Sequence, residues 1–159
     1  MTRHYDGVPI QRLAKRDPET HLTGQARELF VKGAEVYGRE GHCVTCHQPD
    51  GTGLPAAQFP PLAKSEWVTG SAERLAKLVL QGITGPISVN GTKFPGTVPM
   101  VHFKHLSDDE LAAVLTYVRN AFGNRSSAVV PAQIKVIRSA TKERVDLYTT
   151  DELLKAHPD

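Results

Sequence analysis

Two cysteines and a histidine fall within one five-residue stretch, Cys43-Val44-Thr45-Cys46-His47. Cysteines three apart lie on the same side of one helical turn. That spacing suits two thioether bonds to one edge of a flat porphyrin, and the next residue, His47, can turn its imidazole under the ring to ligate iron. The pattern C-x-x-C-H is that of covalent c-type haem attachment. Other uses of a cysteine pair fit less well. A structural zinc site needs four ligands, and the chain has no second pair of cysteines. A thioredoxin-like redox pair belongs beside a βαβ pattern, and none is visible. A disulfide across two residues closes too small a loop to constrain the unfolded chain much. The stretch therefore predicts one covalent haem c on Cys43 and Cys46, with His47 as an iron ligand.

The iron's other face needs a donor from elsewhere. The chain has two methionines and Met1 is terminal, which leaves Met100 as the sulfur ligand. Met100 follows a long Pro/Gly-broken stretch, through Gly85-Pro86, Asn90-Gly91 and Pro95-Gly96, that reads as a functional loop. His102 and His105 are the rival donors, since imidazole also binds haem iron. Upstream, Phe59-Pro60-Pro61-Leu62 is either a rigid loop or the source of a carbonyl that accepts from the far ring nitrogen of His47 and raises its basicity. Trp67, the one tryptophan, either reaches a haem propionate through its indole N–H or is buried for packing.

Helices must position these groups. Thr23 caps a first helix whose stripe runs through Ala26, Phe30, Gly33 and Tyr37 and which leads toward the cysteine turn. Gly33 in mid-helix costs about 1 kcal/mol against alanine, so a close helix crossing is its natural reason. Ser71 caps a helix through Leu75, Leu78, Val79 and Leu80 that ends at Gly82. Ser107-Asp108-Asp109-Glu110 is a capping box before a stripe of Leu111, Val114, Leu115, Val118 and Phe122, closed by Gly123. Pro131 starts a short helix with Ile134 and Ile137, and Thr149 caps another before Leu153. These last segments lie against the domain or against a partner.

With 159 residues, the chain has room for one domain plus extensions. We divide it into an arm or linker at 1–22, a haem domain at 23–124 and a C-terminal extension at 125–159. Only 6% of residues are aromatic, which is lean for a protein-only core, and a buried haem would supply the missing apolar contacts. A net charge of +2 without a basic stripe or stacking motif excludes a nucleic-acid partner. No apolar run reaches the 18 residues or more of a membrane span. The polar N-terminus lacks the apolar core of a secretion signal. A mature form without its leader, or a domain of a longer polypeptide, is expected.

From residue 24 to 123 the chain resembles a class I c-type cytochrome, mono-haem, of the bacterial dehydrogenase-associated kind. The resemblance rests on Gly33 and Tyr37, the haem motif, Phe59-Pro60-Pro61-Leu62, Thr84-Gly85-Pro86-Ile87, Met100 and the run from Leu106 to Asn124. It implies an all-α cytochrome c fold whose first and last domain helices cross, Gly33 lying against Val114 and Tyr117. It also implies that the Pro60 carbonyl steadies His47. The family often has proline directly after the ligand methionine, whereas here Pro99 precedes Met100 and Val101 follows. The implied location is periplasmic.

The expected function is electron transfer rather than catalysis, with His47 and Met100 filling both axial positions. The redox partner is a dehydrogenase, reductase or oxidase; Arg39, Lys64, Lys93 and Lys104 are either cations that steer it or ordinary solvated surface. The alternatives are a haem domain of a larger fused redox enzyme, or a sensor or peroxidase-like protein in which Met100 dissociates.

Overall fold

Gly33 fixes the crossing on which the molecule is built. In the computed structural model, which describes residues 17–158, helix α1 (Gly24–Tyr37) packs across α5 (Asp108–Asn120). A Cβ on Gly33 would lie 2.0 Å from the Ala113 carbonyl oxygen and 2.6 Å from Tyr117 Cβ. Any side chain there would push the helices apart, so the glycine is what lets them meet. The crossing partners are thus Tyr117, as expected, and Ala113 rather than Val114. Phe30, Tyr37, Tyr117 and Phe122 form a ring cluster over it, with centroids 4.9 to 5.6 Å apart.

The five residues of the cysteine motif form helix α2 (Cys43–His47). After a 3₁₀ turn at Pro55–Ala57 come α3 (Glu66–Thr69) and α4 (Ala72–Gln81), capped by the hydroxyls of Ser65 and Ser71. The long loop expected at 85–96 is instead a β-hairpin, β1 (Ile87–Val89) against β2 (Thr92–Phe94). Asn90 and Gly91 turn it with φ of 51° and 77°. That is the conformation an Asn-Gly turn favours. The hairpin docks on α3 through the Asn90 N–H, which donates to the Glu66 carboxylate.

Helix α5 carries the expected capping box: Ser107 Oγ accepts from the Glu110 N–H, and Glu110 accepts from the Ser107 N–H. It stops at Asn120, earlier than expected, because Ala121 is extended and Phe122 adopts a φ of 60° before Gly123. The turn throws the Phe122 ring against Gly51. Helices α6 (Pro131–Ala140) and α7 (Thr150–Ala156) lie against the preceding helices, burying Ile134, Ile137 and Leu153. Val129 joins α6 to the core by exchanging two hydrogen bonds with the Thr116 hydroxyl. The arm reading of residues 1–22 falls mostly on residues 1–16, which lie outside the described residues. Among the described residues no helix is long and apolar enough to cross a membrane.

Candidate functional site

Helix α2 is too short to be stable alone, and its surroundings hold it. The Gly53 N–H donates to the His47 carbonyl at 3.0 Å, and the Gly51 carbonyl accepts from Leu62 and Ala63 at 2.7 and 3.1 Å. The Tyr37 hydroxyl donates to the Gln48 carbonyl at 2.5 Å, which ties α1 to the loop after the histidine. This folded loop brings Pro60 beneath His47, whose Nδ1 lies 2.9 Å from the Pro60 carbonyl oxygen. A carbonyl can only accept, so Nδ1 carries the proton and Nε2 keeps its lone pair. Burial pushes the His47 pKa down, so the imidazole is held in the neutral form a metal needs.

Cys43, Cys46, His47 and Met100 all line one cavity of about 290 Å³. The rest of its wall is mainly apolar and includes Leu75, Val79, Val114, Leu115 and Val118. The two cysteines form no disulfide. Burial raises the Cys43 thiol to about 11 and raises Cys46 as well, so both are protonated at neutral pH. Two thiols, an oriented neutral imidazole and a thioether on one apolar wall fit a covalently attached haem. A larger cleft, about 550 Å³ between the hairpin and α7, contains neither cysteine, nor His47, nor Met100.

Met100 is held by backbone pairing: its N–H donates to the Ile83 carbonyl and its carbonyl accepts from the Ile83 N–H, both at 3.0 Å. The rival donors His102 and His105 are exposed and are not part of the cavity wall. His105 instead joins His42 and Phe103 in a ring cluster. Trp67 lines the cavity, but its indole N–H donates to the Ser88 carbonyl at 2.9 Å, so the donor expected for a propionate is already engaged. Lys64 and Lys93 are exposed. Lys104 and Arg39 have partners within the molecule, the Arg144 carbonyl and the carboxylates of Glu35 and Glu110.

Sequence reasoning missed the pairing at Ile83 and the hairpin residues Val89 and Phe94 on the wall. The Asn-Gly turn between apolar residues was the available signal for the hairpin. For Ile83, one apolar residue between Gly82 and Thr84, the sequence held none.

A family model described as Cytochrome c matches residues 30–122. Cytochrome c-552 of Thermus thermophilus is 41% identical over 107 residues, 65% of this chain and 68% of that protein. The cytochrome c subunit of a quinone alcohol dehydrogenase from Gluconobacter oxydans is 41% identical over 118 residues, 69% of this chain. The fructose dehydrogenase cytochrome subunit of Gluconobacter japonicus is 28% identical over 113 residues. The chain spans 23% of each of these two subunits.

Proposed function

Given that the chain belongs to the cytochrome c family, an electron carrier with one covalently bound c-type haem, we propose that Cys43 and Cys46 carry the haem and that His47 and Met100 take its two axial positions. One observation carries this reading: the two thiols, the oriented imidazole and the thioether share a single apolar cavity. The bound haem supplies a one-electron couple. The protein's part is to hold and tune it.

The Pro60 carbonyl fixes the His47 ring and leaves Nε2 as the ligating nitrogen, made more basic by the proton shared at Nδ1. The Met100 thioether is a soft, neutral donor that favours the reduced state. The aliphatic wall penalises the extra positive charge of the oxidised state, and both effects raise the reduction potential. Occupying both axial positions leaves no open site for a substrate.

Electrons pass where a partner reaches the cavity rim. Val98 and Val101, 51% and 62% exposed, stand there as an apolar contact suited to a small transient interface. Exposed Lys64 and Lys93 can steer an acidic partner toward it. The partner is an oxidoreductase outside the bacterial cytoplasm, in the periplasm, either a dehydrogenase or a terminal oxidase or reductase. Relatives that are cytochrome subunits of dehydrogenases support a second version, in which the same haem domain is the relay of a larger enzyme.

Met100→Ala tests the ligand. The variant should bind added cyanide or imidazole readily. Its reduction potential should fall by on the order of 0.1 V, within the roughly 0.8 V span that axial ligands command. An unchanged spectrum and potential would remove Met100 from the iron.

A further inference from the structure

We propose that the C-terminal extension braces the ligand loop, with Tyr148 and Arg138 as positioning residues that keep Met100 on the iron; this rests on the reading of Met100 as a ligand. The geometry centres on residues 82–84. On one edge, Ile83 exchanges both its backbone hydrogen bonds with Met100. On the other, the Tyr148 N–H donates to the Gly82 carbonyl at 2.9 Å and the Thr84 N–H donates to the Tyr148 carbonyl at 2.8 Å. Three chain segments therefore make a miniature sheet, with the extension on one side of the strand and Met100 on the other.

Gly82 shows how tight the junction is. It has a φ of +81°, and a Cβ there would lie 2.5 Å from Leu147 Cδ2, 2.6 Å from the Met100 carbonyl oxygen and 3.0 Å from the His102 nitrogen. The extension and the ligand loop thus close on the same point. Tyr148 is held in place in turn. The Arg144 guanidinium sits 3.7 Å over its ring and donates to the Asp146 and Leu147 carbonyls, while Glu152 pairs with it at 2.8 Å.

A second anchor grips the loop beyond Met100. Arg138 of α6 donates to the Lys104 and Leu106 carbonyls at 2.9 and 2.6 Å and pairs with Asp108 at 2.8 Å. These carbonyls belong to the turn between Met100 and α5. The flanking valines at 98 and 101 are largely exposed and bury little to hold the loop themselves. A strand paired on one edge only opens more readily than one paired on both. Loss of the brace raises the population in which Met100 has left its position, and with it the access of other ligands.

The experiment compares the holoprotein with Tyr148→Pro, which removes the N–H donated to Gly82, and with Arg138→Ala. Val136→Ser, at a 68% exposed site on α6, is the control. Both brace variants should bind imidazole about tenfold more tightly, since Tyr148→Pro loses one hydrogen bond that opposes opening and Arg138→Ala loses two. The far-red charge-transfer band of a ferric thioether bond should weaken and the reduction potential should drop. Arg138→Lys should restore the band only in part, because an ammonium cannot fork to two carbonyls. Amide exchange in the unaltered protein is a readout that needs no variant to fold: Met100 and Tyr148 should open together. Brace variants that lose overall stability yet keep the parent band and imidazole affinity overturn the proposal. So does a Tyr148 amide that exchanges orders of magnitude faster than that of Met100. If Met100→Ala itself leaves band and affinity untouched, the ligand reading fails rather than the brace.

Discussion

The turn that carries His47 and the loop that carries Met100 are fixed in opposite ways. The carbonyl and ring of His47 itself are bonded by partners close along the chain: Gly53 on its carbonyl, and Pro60, 13 residues on, at its ring. The methionine side is held from afar, by Ile83, by Tyr148 through Ile83's neighbours, and by Arg138, 32 and 34 residues beyond the carbonyls it grips. Local closure costs little chain entropy, whereas distant pairing needs the rest of the fold in place. The histidine side therefore behaves as a preformed cradle, and the methionine side as the part that opens first when stability is lost.

The harshest way to break this asymmetry is at the thiols. Cys43→Ser combined with Cys46→Ser should abolish covalent haem, seen as complete loss of haem stain on a denaturing gel, however well the methionine side is built. Retained stain would place the attachment elsewhere. Next comes the scaffold shared by both sides, since α1 leads into the histidine turn and α5 follows the methionine loop. Gly33→Leu puts a side chain where even a Cβ lies 2.0 Å from a backbone oxygen. The expected cost is roughly 3–5 kcal/mol in a urea titration, or failure to fold. A loss below about 1 kcal/mol would mean that the helices part easily.

The same contrast explains what could be read in advance. The cysteine motif and the Ser107–Glu110 box are local patterns, each carrying its reason within a few residues, whereas Gly33 announces only that something crosses it closely and the Pro60 carbonyl is assigned through the family resemblance. The hairpin at 87–94 was also local, but three glycine-bearing breaks in a row disguised the turn between its strands. The brace was illegible for a different reason. Ile83, Arg138 and Tyr148 carry no shared pattern, and an arginine serving backbone carbonyls looks like any solvated arginine. The extension's sparse apolar residues, Ile134, Ile137 and Leu153, could not say which surface they would cover.

Within the cradle a smaller lesion should stay local. Tyr37→Phe removes the hydroxyl that donates to Gln48 and leaves the ring cluster intact. The expected loss is about 1 kcal/mol of stability, with the far-red thioether band and imidazole affinity unchanged. A shift in that band would show that disturbance on the histidine side travels to Met100, and the two sides would then form one cooperative unit.

The smallest effect lies where the two sides meet. Arg39, between α1 and the histidine turn, donates to Glu110 in the first turn of α5, just past the methionine loop. That guanidinium, helped by the Ser107 N–H, holds the Glu110 carboxyl at about 2, below its ordinary 4.5. A carboxyl whose folded value lies below its unfolded one stabilises the fold above about pH 4.5, and the contribution drains away as pH falls toward 2. Glu110→Gln keeps an acceptor for the Ser107 N–H but loses the charge. Its urea midpoint should therefore fall less steeply than the parent's between pH 4.5 and 2, and the two curves should converge at the acid end. Parallel curves would mean that the ion pair couples nothing, since a surface pair in water can be worth almost nothing.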